Sequence, residues 1–333
     1  MPLQPRPSRR TILGLGLGAA FAPMAPAILQ AQASDLPSGP IKVILPTASG
    51  GQGDTIGRLI GDRVGPAINR TFVMEPRPGA GGLIAGEYVA RSAAPDGNTL
   101  LFVTGGHTIL PGLYAKTIKF DAVKDFAFVC QLTEASFAIA VSADHPAKSF
   151  NDILEMSRRD PGKITFSSTG VGSTQHLIGE VSKRRFGVEW THVPYAGGAM
   201  PLNDVMAGRV DMSIDSMLTI SPLAQSGRMR AIAVTSAGRQ SLLPETPSFG
   251  ELSPGFSVGT ILGLAAPAKT PPAIVARLNR EIAAVVNTDA VKDRMRTMGN
   301  TAKAGTPEEF TQTVAEYVAR WTGVIEQLGI TRG

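Results

Sequence analysis

Pro46-Thr47-Ala48-Ser49-Gly50-Gly51-Gln52-Gly53-Asp54 stands between an apolar run, Ile41 to Leu45, and a segment whose apolar residues Ile56, Leu59, Ile60, Val64 and Ile68 recur at helical spacing. A strand, a loop of glycines and hydroxyls, and a helix start are the ingredients of an anion site. The first N–H groups of a helix have no intrahelical partners, and the positive end of the helix dipole lies behind them. Taken alone, the stretch reads first as an ordinary βα turn. The rest of the chain decides between the two.

The rhythm of strand and helix continues. A short run at Phe72 to Met74 precedes Gly79-Ala80-Gly81-Gly82, which opens a helical segment to about Arg91; Pro95-Asp96-Gly97-Asn98 is a turn before the strand Thr99 to Val103. After the apolar run Phe137 to Val141 the pattern restarts: helix at Phe150 to Arg159, strand at Ile164 to Ser167, helix at Thr174 to Phe186. Further strands are expected at Val188 to His192, Val210 to Ile214 and Arg230 to Thr235, with a helix from Ala199 to Ala207. From Ile261 to Ala266 comes another apolar run, then helices at Pro271 to Val286, Ala290 to Met298 and Pro307 to Leu328. Alternation of this kind predicts an α/β fold of mainly parallel sheet flanked by helices, with ligand sites beyond the carboxyl ends of the strands. The runs at 137–141 and 261–266 bracket the middle block, so the expected division is residues 34–137 with 259–333 as one domain and 138–258 as the other. The helix-rich tail is expected to pack on the first domain, and the ligand cleft to lie between the two.

With 333 residues, 43% of them hydrophobic and 18% charged, the chain is long enough to bury about two domain cores. Its first 33 residues differ from the rest. Arg6, Arg9 and Arg10 precede an acid-free apolar stretch interrupted by glycines and prolines, and Ala31-Gln32-Ala33 comes next, which is the form of a signal peptide cleaved after Ala33 and implies a periplasmic location. Ser8-Arg9-Arg10-Thr11-Ile12-Leu13 resembles a twin-arginine export signal. Removing three arginines and no acids brings the formal charge from +5 to +2, and only 6% of residues are aromatic, so nucleic acid is not an expected partner. Cys130, the one cysteine, cannot form an intrachain disulfide; Phe128, Val129 and Leu132 around it mark a buried strand.

The middle block repeats the opening motif. Ser167-Ser168-Thr169-Gly170-Val171-Gly172-Ser173-Thr174 runs from a strand to a helix, and Val193-Pro194-Tyr195-Ala196-Gly197-Gly198 precedes another. Glycines let backbone approach a ligand closely, while Ser and Thr either donate to it or cap the helix. Charge-assisted hydrogen bonds contribute about 1.5–3 kcal/mol each and a helix end roughly 0.3–1 kcal/mol. Four or five such donors around one carboxylate therefore reach the ~8 kcal/mol of micromolar binding without an arginine. Nucleotide, zinc and serine-hydrolase signatures are absent: there is no G-x-S-x-G, H-E-x-x-H or G-x-x-x-x-G-K-[ST], and Ile84 stands where a dinucleotide motif needs its third glycine. No cofactor is expected, and no metal, since the four histidines are scattered.

At these residues the chain resembles the Bordetella uptake gene family, the periplasmic solute-binding proteins of tripartite tricarboxylate transporters. The likeness runs from Pro40-Ile41-Lys42-Val43-Ile44 to Trp321-Thr322-Gly323-Val324-Ile325 and includes Pro78-Gly79-Ala80-Gly81-Gly82, Ala94-Pro95-Asp96-Gly97, Gly172-Ser173 with His176, and His192-Val193-Pro194-Tyr195 with Gly197-Gly198. The resemblance implies a two-lobed periplasmic-binding-protein fold of type II with two crossover strands. It also implies a small organic acid or amino acid as ligand, membrane transporter subunits as partners, and a monomeric receptor that is not an enzyme. It places the ligand among Thr47, Ser49, Gly50, Gly51 and Asp54 of the first loop, Ser168, Thr169, Gly172, Ser173 and Thr174 of the second, and Tyr195, Ala196, Gly197 and Gly198 of the third. His107, in a loop at the end of a first-lobe strand, is expected to face the cleft, or to fix its own loop; Asp215, at a strand end, to accept an ammonium group or to cap the helix beyond. Thr47 replaces the family's usual aromatic, Ser49 its usual proline, and Ala196 a common lysine, which implies a pocket richer in hydroxyls and poorer in cations. Two other readings remain open at this level: a sensory subunit docking on a membrane receptor, and a hydrolase built on Ser173, His176 and Asp215.

Overall fold

The computed structural model describes residues 36–195 and 200–330, so the expected signal segment at 1–33 and Ala196, Gly197 and Gly198 of the third loop lie outside the described residues. In chain order come β1 (Ile41–Leu45), α1 (Gln52–Ile68), β2 (Phe72–Pro76), α2 (Leu83–Arg91), β3 (Thr99–Val103), α3 (Gly105–Leu113) and β4 (Phe126–Ser142). The middle of the chain forms α4 (Phe150–Arg159), β5 (Thr165–Ser168), α5 (Thr174–Phe186), β6 (Thr191–Pro194), α6 (Met200–Met206), β7 (Met212–Ser216), α7 (Met217–Gln225), β8 (Met229–Val234) and α8 (Phe249–Leu252). The last part forms β9 (Gly259–Pro267), α9 (Pro272–Val286), α10 (Asp289–Arg296), β10 (Asn300–Ala302) and α11 (Pro307–Leu328).

The strands join in one sheet of order β2-β1-β3-β9-β4-β7-β5-β6, with β8 and β10 also paired to β4. Its outer strands are parallel: β1 pairs with β2 and β3, and β5 with β6 and β7. Its middle is antiparallel because β4 and β9 run against their neighbours. β4 is 17 residues long, far more than the expected run at 137–141. It pairs with β9 from Phe126 to Ser136, then with β7 from Phe137 and β8 from Ala138. One strand thus links a first half, built on β1, β2, β3, β9 and β10, to a second built on β5 to β8, and the chain returns at Gly259.

Each half has a hydrophobic cluster on either face of its sheet. In the first half α1, α9 and α10 cover one face with Ile56, Ile60, Leu278 and Met295, and the other face holds Phe102's neighbours Leu101 and Val103 with Leu110, Phe128 and Phe310. In the second half α4 and α5 cover one face through Phe150, Ile153 and Leu177, and α6 and α7 the other through Val205 and Ile220. α11 belongs to both halves. Phe310 and Val314 pack in the first, whereas Trp321 and Ile325 lie in the cluster of the second, and the Arg184 guanidinium of α5 donates to Gln327 Oε1 at 2.6 Å. The tail therefore packs on the first half and also reaches the second.

α1 sits unusually close to the sheet because its buried face carries a glycine at every fourth position: Gly53, Gly57, Gly61 and Gly65. A Cβ at Gly61 would stand 2.6 Å from the Phe72 Cβ, and one at Gly57 2.7 Å from Met74 Sδ. Close approach of this backbone brings the N-terminus of α1 over the end of β1, where the opening loop turns.

Candidate ligand-binding site

Four helices begin at one cavity of about 380 Å³. The N-cap residues of α1, α3, α5 and α7, which are Gly51, Thr104, Ser173 and Ser216, all line it. Three of the four make no side-chain cap; only Ser173 does, its Oγ accepting from the His176 N–H at 3.2 Å. Helices α4, α8 and α11 instead open with capping boxes on Ser149, Ser248 and Thr306, although α9 and α10 have no side-chain cap either. Uncapped first-turn N–H groups need an acceptor, and four positive dipole ends at one half-open cavity favour an anion there. A larger groove, about 510 Å³, runs beside the C-terminal end of α1 from Gly61 to Asn69, where the dipole has the opposite sign.

Close packing across the two halves shapes the cavity. A Cβ on Gly172 would stand 2.6 Å from Leu113 Cδ1 of α3, and one on Gly105 would collide with the Thr260 hydroxyl and lie 3.3 Å from the Thr174 hydroxyl. Ile109, Leu113, Phe137 and Leu262 supply an apolar wall. Among the described residues lining the cavity Asp215 is the one ionisable side chain. Its Oδ1 accepts from the Ser216 N–H at 2.6 Å, and burial holds its carboxyl above the usual carboxylate range. Thr260, 6% exposed, has a buried Oγ1 with no hydrogen-bond partner among the described residues.

Of the sequence-predicted residues, Thr47, Gly51, Thr169, Gly172, Ser173, Thr174 and Asp215 come together on this cavity. Ser49 and Gly50 stand exposed on the crest of their loop and do not line it. Asp54 is buried and shapes the loop from behind, Oδ2 accepting from the Gly50 N–H at 2.8 Å and Oδ1 from Arg58 Nε at 2.9 Å. Ser168 is buried in its own loop, where its Oγ accepts from the Gly170 N–H at 3.0 Å and lies 2.6 Å from His192 Nε2. Tyr195 turns its hydroxyl away to donate to Asp204 Oδ2 at 2.6 Å; burial and then that carboxylate push the phenol up to about 12.

The expectation that His107 faces the cleft is corrected. It lies in α3, packed against Phe120, Phe126 and Phe128, and its Nε2 must donate to the Ala122 carbonyl at 2.7 Å, since a carbonyl only accepts. Burial lowers its pKa to about 4, so the ring is neutral. Neither do Ser173, His176 and Asp215 form a catalytic relay: Ser173 caps α5, and His176 Nδ1 accepts from the Gly172 N–H at 3.0 Å. Sequence reasoning misses Gln52, Thr104, Gly105, Gly106, Ser216 and Thr260 on the cavity wall. Thr104-Gly105-Gly106 carries the same glycine-hydroxyl signal as the other loops; nothing in the sequence marks Thr260.

Residues 56–330 match the tripartite tricarboxylate transporter family receptor. The chain belongs to that family. It is a family of receptors and not of enzymes. The chain is 33% identical, over 95% of its length and 93% of the relative's, to a UPF0065 protein encoded in the tcbD-tcbE intergenic region of Pseudomonas sp.. Among solved structures, Rpa4515 of R. palustris with adipate superposes with a TM-score of 0.80 at 32% identity, covering 89% of this chain and 99% of that one. MatC of Rhodopseudomonas palustris with bound malate gives 0.76 at 29% identity, covering 87% and 99%. The receptor thus shares its α/β periplasmic-binding-protein fold with proteins holding small dicarboxylates. Among its described residues no helix is long and apolar enough to cross a membrane, and no group of three His, Cys, Asp or Glu side chains stands close enough to hold a metal ion.

Proposed function

We propose that this receptor is a monomeric periplasmic protein, exported and cleaved after Ala33, that captures a small carboxylate-bearing solute and presents it to the membrane subunits of a tripartite tricarboxylate transporter. Residues 34–137 with 259–333 and residues 138–258 would be its two lobes, and β4 and β9 the strands on which they move. The observation that carries the reading is the convergence of four helix starts on one cavity with no cationic side chain among its described lining residues. Adipate and malate in the two R. palustris relatives support it.

Thermal unfolding with a panel of mono- and dicarboxylates tests it. A ligand at a hundred times its Kd stabilises by about 2.7 kcal/mol, which for a chain of this size raises the melting temperature by roughly 5 °C. Thr174→Trp, at the first helical position of α5 on the cavity wall, is expected to fill the space and abolish that shift. No stabilisation by any carboxylate, or an undiminished shift in the variant, contradicts the reading.

A further inference from the structure

Two imidazoles lie face to face beneath the second loop. The rings of His176 on α5 and His192 on β6 stack at 3.9 Å between centroids and 18° between planes, and Phe166 of β5 stacks on His192 at 4.9 Å. α5 lies this close to β5 because it carries Gly179, where a Cβ would collide with the Phe166 ring. Neither histidine lines the cavity, yet both bond to the loop that does. The Gly172 N–H points at His176 Nδ1 at 3.0 Å, and since a backbone N–H only donates, that nitrogen carries no proton. His192 Nε2 lies 2.6 Å from the Ser168 hydroxyl, which accepts from the Gly170 N–H. Burial, and then the Lys183 charge, lower the His192 pKa to about 4, so the ring stacked on His176 is neutral. Gly172 itself is in the left-handed region at φ 75°, and Leu113 of α3 fills the space that a side chain would take. The turn held by the His176 acceptor is therefore one on which the two halves touch at the cavity wall.

We propose that His176 is a positioning residue for ligand capture: its Nδ1 fixes Gly172 in the shape that seats Leu113 and lines the cavity, while the stacked His192 ring keeps the imidazole facing that N–H. This rests on the cavity being the ligand site, as argued above, and adds what holds one of its walls. Without the acceptor the buried Gly172 N–H goes unpaired, and the turn shifts to find another partner. Affinity then depends on an atom that the solute never meets.

Two variants of the purified receptor test the proposal. His176→Leu keeps the bulk and removes the acceptor, whereas His176→Asn sets a side-chain oxygen near the place of Nδ1. Amide hydrogen exchange at residues 170–173 is expected to quicken at least ten-fold in His176→Leu and to stay within three-fold in His176→Asn. Isothermal titration at pH 7 with succinate, glutarate, adipate, malate, benzoate and glutamate is expected to divide the variants the same way. The tightest probe binds at least ten-fold more weakly to His176→Leu and less than three-fold more weakly to His176→Asn. In nitrogen-15 correlation spectra of the ligand-free receptor, the His176 ring, identified by its loss in His176→Asn, is expected to be protonated on Nε2 and bare on Nδ1. The opposite tautomer overturns the proposal. Equal loss in both variants makes the packing of the ring the cause and overturns it too, as does unchanged affinity in His176→Leu. If no probe binds the unaltered receptor, the carboxylate reading fails, and exchange still decides whether His176 holds the loop. Should His176→Leu not fold, the tautomer and the affinity of His176→Asn decide.

Discussion

Asp54, Ser168 and His107 show how little of a site is made of side chains that touch the ligand space. Asp54 orients the first loop through the Gly50 N–H, and Ser168 holds the second through the Gly170 N–H, so both act on the cavity by fixing backbone donors. A glycine-hydroxyl loop can be recognised in sequence, but which hydroxyl faces inward depends on the turn that the backbone takes, and this is why sequence groups Ser168 and Ser49 with Ser173. His107 escapes sequence for a different reason. Gly105 and Gly106 do line the cavity, but the histidine that comes after them is on the opposite side of α3, against three phenylalanines. Its burial has a measurable consequence. The unfolded chain takes up a proton near pH 6.5 and the folded one not until about pH 4. Stability is therefore fully present above pH 6.5 and is lost as pH falls towards 4, by an amount on the order of 3 kcal/mol for this group. Urea unfolding across that range is expected to show a shallower decline in His107→Gln, which keeps a donor for the Ala122 carbonyl; an unchanged profile contradicts the assignment.

At the scale of elements, α1 is the clearest case of sequence and packing agreeing. Ile56, Ile60, Val64 and Ile68 fix its buried face, and the four-residue glycine spacing on the same face sets how near the sheet it lies. Glycine within a helix is ordinarily less favourable than alanine by roughly 0.5–1 kcal/mol, so a glycine kept there needs a steric reason. Gly61→Ala is expected to lose about 1–3 kcal/mol by overpacking against Phe72. Gly323→Ala, in α11 with open space around it, is expected to gain about 0.5–1 kcal/mol. Denaturant midpoints check both, and a gain at Gly61 contradicts the close approach. Other elements are less legible. α3 contains three glycines and Pro111, a poor helix former by propensity, and exists because Ile109, Leu110 and Leu113 find buried partners. β10 is three residues, Asn300 to Ala302, too short for any periodicity. The length of β4 is hidden because alternation breaks where it passes from one set of neighbours to the next, both faces being covered for most of its course.

Across the whole molecule the strand and helix alternation anticipates the α/β fold, whereas two halves around a cleft rest in the sequence on little more than the apolar runs at 137–141 and 261–266; in the structure helix starts of both halves line one cavity. Sequence does not carry the bridging of the halves. α11 reaches from Phe310 in one cluster to Trp321 and Ile325 in another, and Leu113 of α3 packs on Gly172 of the second loop. These contacts set the depth of the cavity and the nearness of α3 to α5, and they join residues far apart in the chain. The central claim is that backbone donors at helix starts, with no cationic side chain, hold a carboxylate between the halves. A crystal structure of the receptor with its tightest carboxylate ligand tests it most directly. Carboxylate oxygens are expected within about 2.7–3.2 Å of first-turn N–H groups in α1, α3 or α5; a carboxylate bound outside this cavity, or held there by an arginine or lysine side chain, would contradict the claim.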